Sequence, residues 1–154
     1  MARIKIQLPS RFKFSTVIPV RITDLNYGGH VGNDTVLSIV HEARVQFLES
    51  LGYKELDIQG VGLIMSDVAI EFKCELFYGD AITAYVSTGD FTSAAFDIYY
   101  QLEKGTPNET TVVAIAKTGM VCYDYSKKKI AGIPTEARSR LMDSHNTRQT
   151  QHRP

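Results

Sequence analysis

The sequence has few of the features that mark a protein for export, for a membrane or for nucleic acid. No long apolar run follows the first basic residues, and no window is long and apolar enough to span a bilayer. Its 17 basic side chains balance 17 acidic ones, so no net charge attracts nucleic acid or an anionic membrane. We therefore predict a cytoplasmic protein whose partners include neither nucleic acid nor a membrane.

Cysteine and the motifs of metal or cofactor chemistry are equally scarce. The two cysteines, Cys74 and Cys122, lie in alternating apolar patterns and are predicted to be reduced core residues. The histidines and cysteines lack the spacing of metal ligands, and no G-x-S-x-G, phosphate loop or dinucleotide fingerprint occurs. We expect neither a metal nor a cofactor.

The sequence does contain one strong helical pattern among several strand patterns. A helix is predicted from Asn33 to Ser50, with Asn33 as its N-cap, Asp34 at the positive end of its dipole and Gly52 as its stop. Period-two alternation predicts one strand before the helix and four after it, at residues 13–23, 63–75, 82–86, 96–102 and 112–122.

Short turns join the last four strands, so we expect consecutive strands to pair antiparallel. One long helix against a curled antiparallel sheet defines an α+β fold class. At 154 residues the chain has the length of one domain. We predict a single domain over residues 1–142 and a polar, aperiodic tail over residues 143–154.

The most informative stretch is D-L-N-Y-G-G-H-V-G-N at residues 24–33, immediately before the helix. Its glycines permit positive φ, and amide N–H groups at a helix N-terminus suit a polarised carbonyl oxygen or an anion. Glycines alone also fit a tight connection that binds nothing. His30 favours a functional interpretation, because it lies in this loop close to Asp24 and Asn26.

Arg44 is the one charged residue inside the apolar stripe of the predicted helix. An unpaired buried charge is costly, so the guanidinium requires a carboxylate partner. We predict a structural ion pair that joins helix and sheet, with Asp24 or Glu71 as the partner.

The order of elements and the G-H-V-x-N loop resemble the hotdog-fold acyl-CoA thioesterases, and most closely the 4-hydroxybenzoyl-CoA thioesterase type. The matching stretches are V-R-I-T-D-L-N-Y-G-G-H-V-G-N-D at 20–34, H-E-A-R at 41–44, F-L-E-S-L-G at 47–52, F-K-C-E-L-F-Y-G-D at 72–80 and G-I-P-T-E at 132–136. The resemblance implies a helix wrapped by a curved sheet, and a homodimer or homotetramer with active sites at the dimer interface. The implied reaction is hydrolysis of an acyl-CoA or acyl-carrier-protein thioester to a carboxylic acid and a thiol.

The resemblance also implies roles for the loop residues. Many relatives have an aspartate four residues before the position of His30, where this chain has Asn26. An amide orients water or holds a carbonyl but accepts no proton at neutral pH, so we name Asp24 as the base. His30 would orient the thioester, and amides near Gly32 and Asn33 would form the oxyanion site.

Tyr27 and Asp34 complete the predicted substrate-binding group with Gly32 and Asn33. Asp34 and Glu42, both on the helix, are the other candidate carboxylates for the base, although Asp34 also suits the helix dipole and Glu42 lies far from the apolar stripe. Five aromatic residues either line an acyl tunnel or fill the core, and strand alternation favours the core. They are Tyr27, Phe47, Tyr85, Phe96 and Tyr100.

Two other functions stay open. Without the aspartate, the protein could bind an acyl thioester and never hydrolyse it. The stretch D-L-N-Y-G-G-H also resembles the D-x-N-P-x-H signature of hotdog enoyl-CoA hydratases, although its gap to His30 is one residue longer and the proline is absent.

Overall fold

The computed structural model describes residues 3–106 and 108–143. Two helices, α1 (Asn33–Ser50) and α2 (Thr135–Asp143), accompany a single antiparallel sheet, and a short 3-10 turn spans Ile22–Asp24. The six strands are β1 (Phe14–Pro19), β2 (Gly62–Phe72), β3 (Ala81–Gly89), β4 (Ala95–Thr106), β5 (Glu109–Asp124) and β6 (Lys129–Ile130). The α+β class with one long helix is confirmed.

The strand order is β1-β3-β4-β5-β2, with β6 paired to β5. The prediction that consecutive strands pair holds for β3, β4 and β5 but is wrong for β2, which pairs with β5 at the opposite edge from β1. The reason lies in residues 73–80, which form a crossing connection and not a hairpin. This β2–β3 connection contacts the start of α1, where Val31 N–H bonds the Leu76 carbonyl oxygen at 2.9 Å.

Helix α1 buries its apolar stripe against the inner face of the sheet. Val40, Ala43 and Phe47 are fully buried in one core cluster with inward-facing side chains of β3, β4 and β5. Gly52 has a φ of 84° and follows the last turn, so the predicted stop is confirmed. The predicted N-cap is wrong by one residue: Gly32, with extended backbone, is the N-cap, and Asn33 begins the helix.

Arg44 is buried, as its place in the stripe requires, but the predicted partners are wrong. Its Nε donates to Glu55 Oε1 at 2.6 Å, and its Nη1 lies 3.4 Å from the Tyr100 hydroxyl. Glu55 follows α1 closely in the chain and reaches back to it, whereas Asp24 and Glu71 are each bonded elsewhere. The Tyr100 bond confirms that Arg44 joins the helix to the sheet.

The N-terminal segment crosses the outer face of the sheet, the face that points away from α1. Ile6 N–H donates to Glu71 Oε2 on β2 at 2.8 Å, and the Phe12 ring packs 5.8 Å from the Tyr85 ring on β3. Glu71 and Tyr85 lie in one cross-strand row through β5 and β4. Residues 6–12 therefore cover the middle of the outer face.

Helix α2 is not predicted from the sequence, and it closes the core with Ala137 and Leu141. Asp143, the first residue of the predicted tail, ends α2, and residues 144–154 lie outside the described residues. Cys74 and Cys122 are free thiols, as predicted, but only Cys122 is a buried core residue, because Cys74 is partly buried and lines a cavity. Neither α1 nor α2 is long and apolar enough to cross a membrane.

Candidate active site

The loop before α1 is closed on itself by backbone hydrogen bonds. Asn26 N–H donates to the His30 carbonyl oxygen at 2.8 Å, and Gly29 N–H donates to the Asn26 carbonyl oxygen at 3.1 Å. Gly29 has a φ of 83°, a conformation that a residue with a side chain rarely adopts. The glycines therefore build a tight turn that its own backbone hydrogen bonds hold together.

The side-chain oxygen of Asn26 is hydrogen-bonded within the turn, and its amide nitrogen lies near the start of α1. Its Oδ1 accepts a hydrogen bond from Gly28 N–H at 2.8 Å. Its Nδ2 lies 3.7 Å from the point where a side chain on Gly32 would begin. The oxygen thus stabilises the turn, and the side chain presents N–H donors toward the N-terminus of α1.

Because Gly32 has no side chain, it leaves the first backbone N–H groups of α1 accessible. Its carbonyl oxygen accepts the N–H groups of Thr35 and Val36, at 3.0 and 3.1 Å. The N–H groups of Asn33 and Asp34 donate to no acceptor within residues 3–106 and 108–143. A Cβ on Gly32 would lie 2.6 Å from Asp34 Oδ1, so only glycine leaves this approach open.

His30 is half-buried beside Asn26. Its Nδ1 lies 3.4 Å from the Val31 carbonyl oxygen, and its ring meets the Phe77 ring edge-on at 6.5 Å. A Cβ on Gly28 would lie 3.4 Å from His30 Nε2, so the absence of a side chain there leaves this nitrogen open. The turn brings His30 and Asn26 together, as the sequence predicts.

A cavity of about 250 Å³ lies between this loop and the β2–β3 connection. Its walls combine apolar side chains with the polar groups of His30, Asn33, Lys73 and Glu75. The lining residues are His30, Val31, Asn33, Val36, Phe72, Lys73, Cys74, Glu75, Leu76 and Val113. An apolar pocket with few convergent polar groups is typical of a small-molecule site.

Asp24 lies apart from this cavity. It lines a separate cavity of about 270 Å³ against the side of α1, together with Glu42 and Gln46. Its buried carboxylate accepts the Arg21 backbone N–H at 2.8 Å and the Arg21 guanidinium at 3.3 Å. The structure therefore places Asn26 and His30 at one site and Asp24 at another.

Three of the four predicted substrate-binding residues lie at or next to the cavity, and Tyr27 does not line it. Asn33 lines the 250 Å³ cavity, and Gly32 and Asp34 adjoin it at the helix start. Tyr27 is fully exposed at the tip of the turn. Of the five aromatic residues considered for a tunnel, Phe47, Phe96 and Tyr100 are buried core residues.

Sequence patterns do not identify Phe72, Lys73, Cys74 and Glu75 as site residues. They lie in one of the stretches that resemble the thioesterases, but the alternation of apolar and polar residues there does not indicate which side chains face the loop. Their place at the site follows from the sheet topology. Because β2 pairs with β5, the β2–β3 connection passes the N-terminus of α1. Among the described residues, no group of three or more His, Cys, Asp or Glu is placed to hold a metal ion.

An antiparallel sheet packed on one long helix, with a polar turn at the N-terminus of that helix, is the architecture of the hotdog fold. The model of the thioesterase-like superfamily matches residues 20–141, and the chain belongs to that superfamily. No curated protein sequence matches the chain.

Solved structures share the fold at low sequence identity. A 1,4-dihydroxy-2-naphthoyl-CoA thioesterase from Synechocystis is 21% identical, with a TM-score of 0.74, over 83% of this chain and 94% of that one. A thioesterase superfamily protein from Jannaschia is 16% identical, with a TM-score of 0.77, over 89% and 86%. An aspartate-to-asparagine mutant of 4-hydroxybenzoyl-CoA thioesterase, complexed with 4-hydroxybenzoyl-CoA, is 15% identical, with a TM-score of 0.74, over 83% and 97%.

Proposed function

We propose that this protein hydrolyses acyl thioesters of coenzyme A or of acyl carrier protein at the loop of residues 26–34. The observation that carries the proposal is the group of hydrogen-bond donors at the N-terminus of α1, where Asn33 lines the cavity. The N–H groups of Asn33 and Asp34 have no acceptor among the described residues, and Asn26 Nδ2 lies 3.7 Å from the point where a side chain on Gly32 would begin. Donors fixed in advance around a carbonyl oxygen stabilise the oxyanion that forms when the carbonyl is attacked.

The loop residues then have distinct roles. The thioester carbonyl oxygen accepts the Asn33 N–H, with further donation from Asn26 Nδ2. His30, whose Nε2 stays open beside Gly28, orients the thioester across the cavity mouth. Attack by water on the carbonyl carbon yields a carboxylic acid and a thiol. A carboxylate accepts the proton from water; Asp24, the base expected from the sequence, lines the other cavity and is bonded to Arg21.

The cavity walls and the neighbours' substrates favour an acyl group of limited size. Val36, Phe72 and Val113 form apolar walls around about 250 Å³. Two structural neighbours act on aromatic acyl-CoA thioesters, by their names. We propose an aromatic or short acyl group as the first substrate class to test, with the thiol carrier outside the cavity.

The same geometry supports a homodimer through β2. This edge strand exposes Ile64, Met65 and Val68, and Phe72 at its end lines the cavity. A second copy paired along β2 would bury these side chains and complete the cavity wall. A homotetramer would be a pair of such dimers. Two free thiols suit a reducing compartment, and we propose the cytoplasm.

A specific observation also favours binding without hydrolysis as the second candidate. A neighbour with asparagine substituted for aspartate was solved in complex with its thioester. That complex shows an amide variant of this fold holding a thioester. In this alternative, Asn26 only binds the carbonyl, and Asn26→Asp would create turnover.

The test follows thiol release from a panel of coenzyme A thioesters that spans aromatic, short and long acyl groups. The matched variants are Asn26→Ala and Asn108→Ala, because Asn108 is exposed in the β4–β5 turn. We expect turnover by the wild type and by Asn108→Ala, and a loss of roughly 100-fold or more in Asn26→Ala. Saturable binding in calorimetry without turnover of any thioester would instead support the binding protein.

A further inference from the structure

The catalytic loop requires a proton acceptor, and the structure offers one on the opposite wall of its cavity. We propose that Glu75, in the β2–β3 connection, is the carboxylate that accepts the proton of the attacking water. This inference rests on the proposed thioester hydrolysis. It assigns the general base to a residue far from the loop in sequence.

The position of Glu75 is fixed from both sides. The next residue, Leu76, accepts the Val31 N–H at 2.9 Å, which ties this part of the connection to the loop. The carbonyl oxygen of Glu75 itself accepts Lys104 Nζ at 2.6 Å. A backbone hydrogen bond to the loop and the Lys104 side chain of β4 therefore hold Glu75 at the cavity that His30 and Asn33 also line.

The Glu75 carboxylate is free to act. It forms no hydrogen bond and no ion pair with any residue in the described ranges, although Lys73 lines the same cavity. No other carboxylate lines this cavity within those ranges. A general base must reach its proton with an unoccupied oxygen, and Glu75 satisfies this condition.

The competing carboxylates are engaged elsewhere. Asp24 lines the other cavity and accepts two hydrogen bonds from Arg21. Glu71 points to the outer face of the sheet, where it accepts the Ile6 backbone N–H. That hydrogen bond, with a smaller contribution from Lys73, holds the pKa of Glu71 below its ordinary value. Asp80 accepts the Phe77 N–H at 2.9 Å and pairs with Lys104 at 3.3 Å.

The step balances as a hydrolysis. Glu75 takes one proton from water while the water oxygen bonds to the thioester carbonyl carbon, and the Asn33 N–H holds the resulting oxyanion. When the carbonyl re-forms, the carbon–sulfur bond breaks, and sulfur leaves with the bonding electron pair. The proton on Glu75 passes to sulfur, so the products are a carboxylic acid and a thiol and the carboxylate is regenerated.

The test compares Glu75→Gln and Glu75→Asp with Asp24→Asn, and with Glu49→Gln as an exposed glutamate control on α1. Using the thioester that the wild type turns over fastest, kcat and KM are measured from low to neutral pH. We expect Glu75→Gln to lower kcat by about 100-fold or more with little change in KM. It should also lose the acid limb of the pH profile, and Glu75→Asp should keep that limb.

Each other outcome overturns a different claim. If the wild type is active and Glu75→Gln keeps kcat within about threefold, with its acid limb intact, Glu75 is not the base. A loss confined to Asp24→Asn would assign the base to Asp24. A wild type that turns over no thioester would overturn the proposed hydrolysis itself, and the role of Glu75 with it.

Discussion

The backbone N–H of Val31 donates a 2.9 Å hydrogen bond to the carbonyl oxygen of Leu76. This bond joins two parts of the chain that are remote in sequence: the turn that carries Asn26 and His30, and the connection that carries Glu75. The cavity between them exists because β2 crosses to the far side of β5 before the chain returns to β3. The site is thus a consequence of sheet topology as much as of the loop.

Gly32→Ala should impair the site more than it impairs the fold. The added methyl would lie 2.6 Å from Asp34 Oδ1 and 3.7 Å from Asn26 Nδ2, so the Asp34 side chain must move and the methyl would occupy space next to the Asn26 amide. We expect a fall in kcat/KM of roughly tenfold or more, and a loss of about 1 kcal/mol in unfolding free energy from the poorer N-cap. Steady-state kinetics and urea denaturation measure the two effects. Adding Asp34→Ala should recover part of the activity, and a double variant no better than Gly32→Ala would contradict the steric explanation.

Glu55→Gln should destabilise the protein, because it leaves the buried Arg44 without a counter-charge. The pair has an N–O distance of 2.6 Å, with Arg44 almost fully buried and Glu55 about a quarter exposed. We expect a loss of about 2–3 kcal/mol in urea denaturation, at or below the lower end of the range for fully buried pairs. The double variant Arg44→Met, Glu55→Gln removes the orphan charge and should be more stable than Glu55→Gln alone. Equal stability of the two would show that the pair is not coupled.

Asp97→Asn should stabilise the protein at neutral pH. Burial raises the pKa of Asp97 above its ordinary value, against the opposing effect of Lys117, with Asp90 and Asp67 adding to the increase. A carboxyl with a raised pKa binds its proton more tightly in the folded state. Unfolding free energy therefore falls as the pH rises from the ordinary pKa of 3.8 through the raised value, and stays lower above it.

Asparagine imitates the protonated carboxyl at every pH, so the gain should be present at pH 7 and absent at low pH. We expect less than about 1 kcal/mol, because Asp97 is partly solvated. Thermal unfolding from pH 3 to pH 7 checks the sign. Destabilisation at pH 7 would mean that the Lys117 ion pair outweighs burial and repulsion.

One thiol should react at neutral pH and the other should not. Cys74 is half-buried and lines the cavity, whereas Cys122 is fully buried in the core. Burial also raises the pKa of Cys122 to about 11, which leaves little thiolate at pH 7. Titration with a thiol reagent should modify one cysteine per folded chain, and none in Cys74→Ser. A slowly hydrolysed thioester analogue should protect Cys74 from the reagent. Unchanged labelling in its presence would show that the thioester does not bind in this cavity.

The β2 edge should carry the dimer. Val68 on β2 and Val17 on β1 are both exposed valines on the two edge strands of the sheet, which makes them a matched pair. We expect Val68→Asp to shift the protein toward monomer in sedimentation equilibrium and to reduce activity, because the cavity wall is then incomplete. Val17→Asp should leave the mass unchanged. Dissociation by Val17→Asp alone would place the interface on β1.

The sequence predicts those parts of the fold that depend on local order. Helix α1 and its stop at Gly52 follow from spacing and turn chemistry, and β3 to β5 follow from alternation. The pairing of β2 does not, because the sequence of a strand does not specify its partner across 40 or more residues. Helix α2 is short and held mainly by burial of Ala137 and Leu141, so its local signal is weak.

The candidate site likewise contains residues that the sequence predicts and residues that only the structure identifies. Asn26, His30 and Gly32 are contiguous with the helix start, and their chemistry is visible in the sequence. Asp24 is two residues from Asn26 in the chain, but the 3-10 turn directs its carboxylate to the other cavity. Glu75 is remote in sequence and close in space, so only the structure identifies it.

The most direct test of the account is a single-turnover reaction with enzyme in excess over thioester, which separates chemistry from binding and product release. Wild type and Asn26→Ala are compared on the thioesters of the panel, with free thiol as the readout. We expect rapid thiol release by the wild type, a rate reduced by roughly 100-fold or more in Asn26→Ala, and a change in affinity smaller than about tenfold. A wild type that binds a thioester at saturation yet releases no thiol would contradict the proposed hydrolysis.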